Sequence, residues 1–285
     1  KAFFEMKVQL FNRTPEAQTF LWWINTGVHV HDDYQVVFPP DVRVVTDHSK
    51  RSMSHYPIAR GTYYGIDYDK NGQGTDISWY KNVPTSTSYF VWDTQYDYFG
   101  GYDHRADAGI IHVANRYIAP GKKMFTWGAS EYAKGWEANL TDEDGPYIEL
   151  MAGVYTDNQP DFSWMQPYET KTFSQFWYPV QKIGPAKNAN RRAAVNLEVT
   201  GEQFKVGVAV TEDLVGATVA LTAGEQTVLK ETLDLVPGDP FVGQGSLPDA
   251  VAETMLLLRV CDRTGAEVIR YAPQAIEEGP LPDAL

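Results

Sequence analysis

The 285-residue sequence has a single cysteine, Cys261, and no apolar run long enough for a membrane-spanning helix. One cysteine excludes a disulfide framework and a multi-cysteine metal site, and it is typical of a reducing compartment. Runs of basic residues are also missing, and the net charge of −13 repels phosphate backbones and anionic lipids. We therefore expect a cytoplasmic protein with no nucleic-acid partner and no membrane partner.

Helical periodicity is lacking too, since no segment of ten residues or more repeats apolar positions at helical spacing. Short β-branched and aromatic runs recur instead, separated by many of the 17 prolines and 23 glycines. This pattern favours an all-β antiparallel sandwich over alternating strands and helices. The strands predicted in the first part of the chain are 8–11, 19–24, 35–38, 42–46, 89–93, 109–114, 123–127, 147–153 and 172–179.

Aromatic residues are concentrated in the first two thirds of the chain. All eight tryptophans and all six histidines precede residue 178. The segment 182–192 combines turn-forming and basic residues, as linkers do. We predict an aromatic-rich β-sandwich over residues 1–185, an immunoglobulin-like β-sandwich over 190–275 and a linker or tail over 276–285. The strands predicted in the second sandwich are 195–199, 204–210, 217–221, 227–235, 255–260 and 267–271.

The aromatic side chains suggest a carbohydrate ligand. Trp and Tyr join a flat apolar ring to a polar group, which suits stacking on sugar rings while carboxylates and amides bind hydroxyls. The alternative is that these rings fill the core of a large sandwich. Trp22 and Trp23 cannot both do so, because adjacent strand residues point to opposite faces. The sugar-binding candidates are Trp22, His29, Trp92, Asp93, Tyr102, Trp136 and Trp164.

Four segments together resemble the DUF5107 family, which occurs in large bacterial proteins ahead of tetratricopeptide repeats. They read FLWWINTGVHVHDDYQVVFPPD, FGGYDHRADAGIIHVANR, PGKKMFTWG and LTDEDGPYIELMAGVYTDNQPDFSW. The resemblance covers about residues 1–200 and implies a galactose-mutarotase-like supersandwich that binds carbohydrate, with no settled reaction. The strands expected before Lys1 are missing, so we expect a piece of a larger protein whose other domains are its partners.

Glu149 is the first catalytic candidate. It lies at the position of the mutarotase general base if the closing segments of the two folds correspond. Its neighbours Ile148 and Leu150 predict a buried strand, where burial would raise the pKa of the carboxyl. The alternative is a structural carboxylate that accepts hydrogen bonds within the sheet.

Aldose epimerisation also needs an acid for the ring oxygen, usually histidine. His104 follows Gly100 and Gly101 in a predicted loop, where glycines would let the backbone approach a ligand. We predict His104 or His31 as the partner of Glu149, with Asp103 beside them. Glycoside hydrolysis would instead need two facing carboxylates. Candidates for such a pair are Asp93, Asp97, Asp103, Glu131, Glu137 and Glu149.

Two motifs suggest metals. Residues 67–72 match the first half of a calcium loop, with Asp67, Asp69 and Asn71 as oxygen ligands, although Ser78 stands where a glutamate should be. The alternative is an Asn-Gly hairpin turn. His29 and His31 with a following aspartate could hold zinc, but the scaffold of the known zinc hydrolases is lacking. Apart from calcium, we expect no cofactor.

These observations predict a carbohydrate-binding domain, with a glycoside hydrolase-like or epimerase-like activity as the enzymatic hypothesis. A non-catalytic sugar-binding or protein-assembly module ahead of tetratricopeptide repeats is the alternative. A scaffold without sugar affinity, whose aromatic rings are core, is the third.

Overall fold

The computed structural model describes residues 1–159, 161–249, 251–275, 277 and 279–283. Its elements in the first domain are β1 (Phe4–Phe11), β2 (Gln18–Phe20), β3 (Trp22–His29), β4 (Tyr34–Val37), β5 (Val44–Thr46), β6 (Met53–His55), β7 (Ile58–Ala59), β8 (Thr62–Tyr63), β9 (Ile66–Asp67), β10 (Thr75–Asp76), β11 (Thr87–Val91), β12 (Tyr98–Asp103), β13 (Ala108–Val113), β14 (Gly121–Thr126), α1 (Glu131–Leu140), β15 (Tyr147–Val154), β16 (Ser163–Met165) and β17 (Thr170–Gln181). Short 3₁₀ turns lie at His48–Lys50 and Tyr80–Asn82.

Two large antiparallel sheets form the first domain. One has the strand order β1-β17-β13-β12-β4, and the other has the order β3-β15-β14-β11-β5-β6. Alternating apolar residues from both sheets meet in one core, such as Leu150 of β15 and Trp177 of β17. The chain is therefore an all-β supersandwich in this part, as the sequence predicted.

The second domain is a smaller sandwich of two four-stranded sheets. Their orders are β18-β19-β20-β23 and β22-β21-β24-β25, and the core between them is aliphatic, as at Val206, Val219 and Leu258. This agrees with the predicted small β-sandwich. Its strands are β18 (Asn188–Ala189), β19 (Ala193–Thr200), β20 (Gln203–Val210), β21 (Leu214–Ala223), β22 (Gln226–Leu235), β23 (Phe241–Ser246), β24 (Leu256–Cys261) and β25 (Glu267–Tyr271), with a 3₁₀ turn at Glu253–Met255.

A third apolar cluster joins the two domains. Buried tyrosines of the first domain pack against Ile183, Ala186 and Ala194 of the linker and the second domain. The Tyr98 hydroxyl donates a hydrogen bond of 3.0 Å to the Ala186 carbonyl, and the Tyr178 hydroxyl donates one of 2.8 Å to the Asn190 carbonyl. The linker is thus part of a packed interface.

Two elements differ from the sequence prediction. Helix α1 was not predicted; it begins after Ser130, whose hydroxyl accepts a hydrogen bond from the Ala133 amide. The segment with Gly100 and Gly101 is the buried strand β12 rather than a loop. A Cβ atom at Gly100 would lie 2.0 Å from the Ile110 carbonyl, so this glycine permits close strand pairing rather than ligand approach.

The terminal segment is described only in part, because residues 276, 278, 284 and 285 of the predicted tail lie outside the described residues. Within the part described, the Gly279 carbonyl lies 3.1 Å from His55 Nε2 on β6. No helix among the described residues has the length and apolar character needed to cross a membrane.

Candidate functional site

The six-stranded sheet has one face on the core and one face turned away from it, which we call the outer face. On β3 and β15 the residues Ile24, Val28, Ile148 and Leu150 point to the core. The residues that alternate with them must therefore point outward. The outer face comprises Trp23, Asn25, Gly27 and His29 of β3, Tyr147, Glu149, Met151 and Gly153 of β15, Gly121, Lys123 and Phe125 of β14, and Phe90 of β11.

Glu149 lies near the middle of the outer face. Its Cα partners are Gly27 on β3 and Phe125 on β14. Asn25 Nδ2 donates a hydrogen bond of 2.9 Å to Glu149 Oε2. In the described part of the chain, Oε1 of Glu149 accepts no hydrogen bond. The carboxylate is half-buried and Asn25 is exposed. One oxygen is thus held by the amide, and the other is free for a ligand.

Aromatic rings flank Glu149 at the Tyr147 end of the strand. Trp127 directly follows β14 and stacks on Trp136 of helix α1, with ring centroids 5.1 Å apart and an interplanar angle of 12°. Trp127 Nε1 donates a hydrogen bond of 3.2 Å to the Tyr147 hydroxyl, which fixes the ring in place. Trp136 is 39% exposed. The helix missed in the sequence therefore brings a predicted sugar-binding residue to the outer face.

A second indole lies at the opposite end of β15. The Trp23 ring covers two glycines, because Cβ atoms built on Gly121 and Gly153 would come within 2.7 and 2.5 Å of its atoms. Its edge meets Phe90 at a centroid distance of 5.6 Å. The ring therefore rests on the sheet itself. Trp22 points the other way, towards Phe173 of the facing sheet, so the outward member of the pair is Trp23.

Lys123 lies diagonally across from Glu149 on the outer face. Its Nζ is 3.0 Å from His48 Nε2 and donates a hydrogen bond of 3.0 Å to Gln159 Oε1. The lysine is 2% exposed, and this burial lowers its pKa to about 8, although Glu149 opposes the shift. Burial and the charge of Lys123 lower the pKa of His48. Lys123 thus places a positive charge near Glu149 and ties two surface loops to the sheet.

The predicted histidine partners form a separate cluster beyond the end of β3. His31 Nε2 lies 2.9 Å from Asp103 Oδ1, and His31 Nδ1 accepts a hydrogen bond from the Asp33 amide. Both ring nitrogens are therefore engaged, and His31 has none to offer a substrate. Burial alone would raise the pKa of Asp103, but the amides of Ala106 and Arg105 together with His31 hold it below its usual value.

His104 is held in the same region, away from Glu149. Its ring stacks on Trp79 at a centroid distance of 4.7 Å, and its Nε2 lies 3.0 Å from Gln35 Oε1. Burial lowers the pKa of His104, although Glu198 opposes the shift. Among the described residues no hydrogen bond or ring contact joins His104 or His31 to Glu149. His29 does lie on the outer face, one step diagonally from Glu149, with its ring 6.3 Å from that of His31.

Four other predicted sugar-binding residues lie elsewhere. Tyr102 is 1% exposed, and its hydroxyl donates to Asp107 and accepts from the Gly184 amide, so it serves the domain interface. Trp164 is exposed on the small β2–β16 sheet. Trp92 and Asp93 border a separate cleft of about 280 Å³. The structure thus gathers Glu149, His29 and Trp136 but not these four.

The proposed calcium ligands face their own backbone. Asp67 Oδ1 accepts a hydrogen bond of 3.0 Å from the Asp69 amide, and Asp69 Oδ1 accepts one of 2.7 Å from the Gly74 amide. Such bonds are typical of turns. Within the described ranges, no three or more His, Cys, Asp or Glu side chains are grouped as a metal site. Calcium binding through Asp67, Asp69 and Asn71 stays a prediction.

The family of the chain follows from profile comparison. The profile of the domain of unknown function DUF5107 matches residues 1–180. The chain belongs to this family. The profile of the second domain of YphG-like proteins matches residues 188–271. The family resemblance stated from the four sequence segments is therefore confirmed.

Three solved structures are similar to the chain. A tetratricopeptide-repeat-domain protein from Parabacteroides distasonis is 23% identical, with 62% of this chain and 27% of that one covered and a TM-score of 0.47. The Slr1438 protein from Synechocystis is 8% identical, with coverages of 63% and 51% and a TM-score of 0.42. A protein assigned as an aldose 1-epimerase from Klebsiella pneumoniae is 8% identical, with coverages of 63% and 43% and a TM-score of 0.40. The chain spans between a quarter and a half of these proteins.

Sequence reasoning missed several residues of this DUF5107 outer face. The strand pattern showed that Trp22 and Trp23 point to opposite faces, but alternation alone does not say which of the two points outward. Trp127 is the last residue but one of the segment PGKKMFTWG. The places of Asn25 and Lys123 follow only from the register of β3 and β14 against β15. This register brings Asn25 to Glu149, 124 positions later in the chain, and Lys123 to Met151, 28 positions later.

Proposed function

We propose that the outer face of the DUF5107 domain binds carbohydrate. The observation that carries the proposal is the placement, on one sheet face, of an exposed indole stack, Trp127–Trp136, beside a carboxylate–amide pair, Asn25–Glu149. Indole faces pack on the C–H surface of a sugar ring. Carboxylate and amide groups bind its hydroxyls, and both groups are within reach of solvent here.

The position of the polar pair supports this role. Asn25, Gly27 and His29 lie on the exposed edge strand β3, so a ligand can approach from that side. A structural carboxylate would use both oxygens within the fold, whereas Glu149 leaves Oε1 free in the described structure. The alternative that all aromatic rings are core accounts for Tyr89 and Phe99, which are fully buried, but not for Trp136.

The binding proposal is tested on the full chain with a glycan array, followed by isothermal titration of each retained glycan. We expect Trp136→Ala to lower the affinity about tenfold, the size of one stacking contact. The matched control is Trp164→Ala, which removes a more exposed indole from the β2–β16 sheet and should leave the affinity unchanged. Retention of no glycan, or equal loss in both variants, would contradict the proposal.

A sugar-directed catalytic step at the same face is the second candidate, favoured by the diagonal position of His29 and Glu149. In ring opening of an aldose, Glu149 would accept the proton of the anomeric hydroxyl while protonated His29 gives a proton to the ring oxygen. This assigns to His29 the role predicted for His31 or His104, which bond to other side chains in a separate cluster. A glycoside hydrolase would need a second carboxylate opposite Glu149.

Glu149→Gln separates binding from catalysis, because the glutamine amide oxygen can still accept from Asn25 while the base is lost. If Glu149 is catalytic, the rate of mutarotation or hydrolysis should fall about 100-fold or more while glycan affinity changes little. A rate that stays at the wild-type value would exclude a catalytic Glu149. An assembly role ahead of tetratricopeptide repeats remains the alternative prediction from the sequence.

A further inference from the structure

The two indole sites of the outer face lie at opposite ends of one strand. The Trp127–Trp136 stack is anchored on Tyr147 at the start of β15, and Trp23 covers Gly153 near its end. We infer that the ligand is a linear oligosaccharide lying along β3 and β15, with one sugar ring on each indole site and Glu149 between them. This inference rests on the proposed carbohydrate-binding function and adds the length and direction of the ligand.

The distance between the two indole sites sets the length of the ligand. Tyr147 and Gly153 are six residues apart on an uninterrupted strand. At the rise of an antiparallel strand, this places the two ends about 20 Å apart. One sugar ring cannot reach both indole sites, so a monosaccharide would use only one of them. Only several linked rings can occupy both at once.

The construction of the Trp23 site also favours a ligand role. A large ring on a sheet normally stands among neighbouring side chains, but here two adjacent strands carry glycine where the ring rests. The missing side chains let the indole lie against the backbone of β14 and β15. The Trp23 side chain stays partly exposed in this position. The exposed part of a flat indole suits the face of a pyranose ring.

Between the two indole sites, the outer face carries both apolar and polar side chains. Met151 is buried, while Asn25 beside it on β3 is exposed. Glu149 and Asn25 therefore offer a carboxylate oxygen and an amide oxygen along the path from Trp127 to Trp23. Hydroxyl groups on the middle rings of an oligosaccharide would meet these atoms. A neutral glycan fits best, because Lys123 is turned to His48 and Gln159 rather than to the path.

The test is a chain-length series on the intact protein. The probes are glucose and its linear β-1,4-linked and α-1,4-linked oligomers from two to six units, together with the same series of any other sugar retained on the array. Affinity is measured by isothermal titration. We expect it to rise with each added unit until both indole sites are filled, with a gain of about tenfold from the second site.

Trp23→Ala should remove that gain for the longer oligomers. Trp164→Ala is the control and should leave the affinity unchanged at every chain length. Should Trp23→Ala fail to fold, the chain-length series on the wild type decides the matter alone. Equal affinity for short and long oligomers would overturn the inference and leave the proposed binding function standing. Binding of no sugar at all would overturn both.

Discussion

Trp23 occupies the space above Gly153, where any side chain would collide with its ring. A Cβ atom on Gly153 would lie 2.5 Å from two atoms of the indole and 2.9 Å from a third. Both residues lie on the outer face of the β3–β15 pair, with Trp23 as the Cα partner of Gly153. Gly153 and Trp23 therefore pack against each other, and a substitution of one should change the energetic effect of substituting the other.

We expect Gly153→Ala to push the Trp23 ring off the sheet and to lower the free energy of unfolding by about 1–3 kcal/mol, as overpacking does. Urea unfolding gives the free energy, and near-ultraviolet circular dichroism reports the indole. Gly135→Ala on helix α1 is the control, since its Cβ atom would meet nothing within 4 Å, and it should stabilise the protein slightly. In a Trp23→Ala background the cost of Gly153→Ala should shrink; equal costs in both backgrounds would refute the pairing.

Lys122 is a buried ammonium group with no hydrogen-bond partner among the described residues. It lies on the core side of β14, is 1% exposed, and its Nζ forms no hydrogen bond with any described residue. Burial lowers its pKa from 10.5 to about 8. At pH 7 the folded protein must therefore hold a proton that the unfolded chain binds more tightly. This difference costs the fold up to about 3 kcal/mol.

Lys122→Met should consequently stabilise the protein at pH 7. The unfolded chain keeps its proton between pH 8 and 10.5 while the folded protein has released it, so the wild type gains stability as the pH rises through this window. The advantage of the variant should therefore shrink from pH 7 to pH 9.5 in urea unfolding. Lys7→Met, on the exposed strand β1, should show no such change. A destabilised Lys122→Met variant at pH 7 would contradict this account.

His112 is a buried histidine that lowers the stability of the folded protein at acidic pH. It lies between the rings of Phe99 and Trp177, and neither ring nitrogen has a partner among the described residues. Burial, and secondarily the charge of Lys122, lower its pKa to about 3. Between pH 6.5 and 3 the unfolded chain binds a proton that the folded protein does not, so this group takes stability away as the pH falls.

We expect His112→Leu to be more stable than the wild type at pH 4.5, with a smaller difference at pH 7. The advantage of the variant in free energy of unfolding should be about 2–3 kcal/mol larger at pH 4.5 than at pH 7. Guanidinium unfolding at both pH values measures it, and His29→Leu on the exposed edge strand provides the comparison. If the two histidine variants respond alike to pH, the buried imidazole is not the cause.

Local patterns predicted the fold well where burial alternates with exposure. Ile148 and Leu150 around Glu149 showed the strand β15, and the structure adds that the carboxylate points away from the core. The same logic failed for Gly100 and Gly101, because glycine is most often a turn residue and its use for close strand pairing depends on a neighbour in β13. Helix α1 escaped notice because it is short and contains Gly135.

The candidate site was predictable only in part, for a geometric reason. Glu149, His29 and Trp136 could be named from the sequence, but their shared face depends on strand order. His48 lies 75 positions before Lys123, and only the pairing of β5, β11 and β14 brings them together. The sequence did not show that both nitrogens of His31 are engaged, and a histidine partner for Glu149 stays a prediction.

The tyrosine-rich interface between the two sandwiches has a practical consequence. Tyr98 and Tyr178 of the first domain reach carbonyl groups of residues 186 and 190. A fragment ended at residue 185 would leave these hydroxyls without acceptors and turn a buried apolar surface to water. Such a fragment is a poor choice for expression or crystallisation. The DUF5107 domain and the sandwich after it are best cloned, mutated and assayed as one piece.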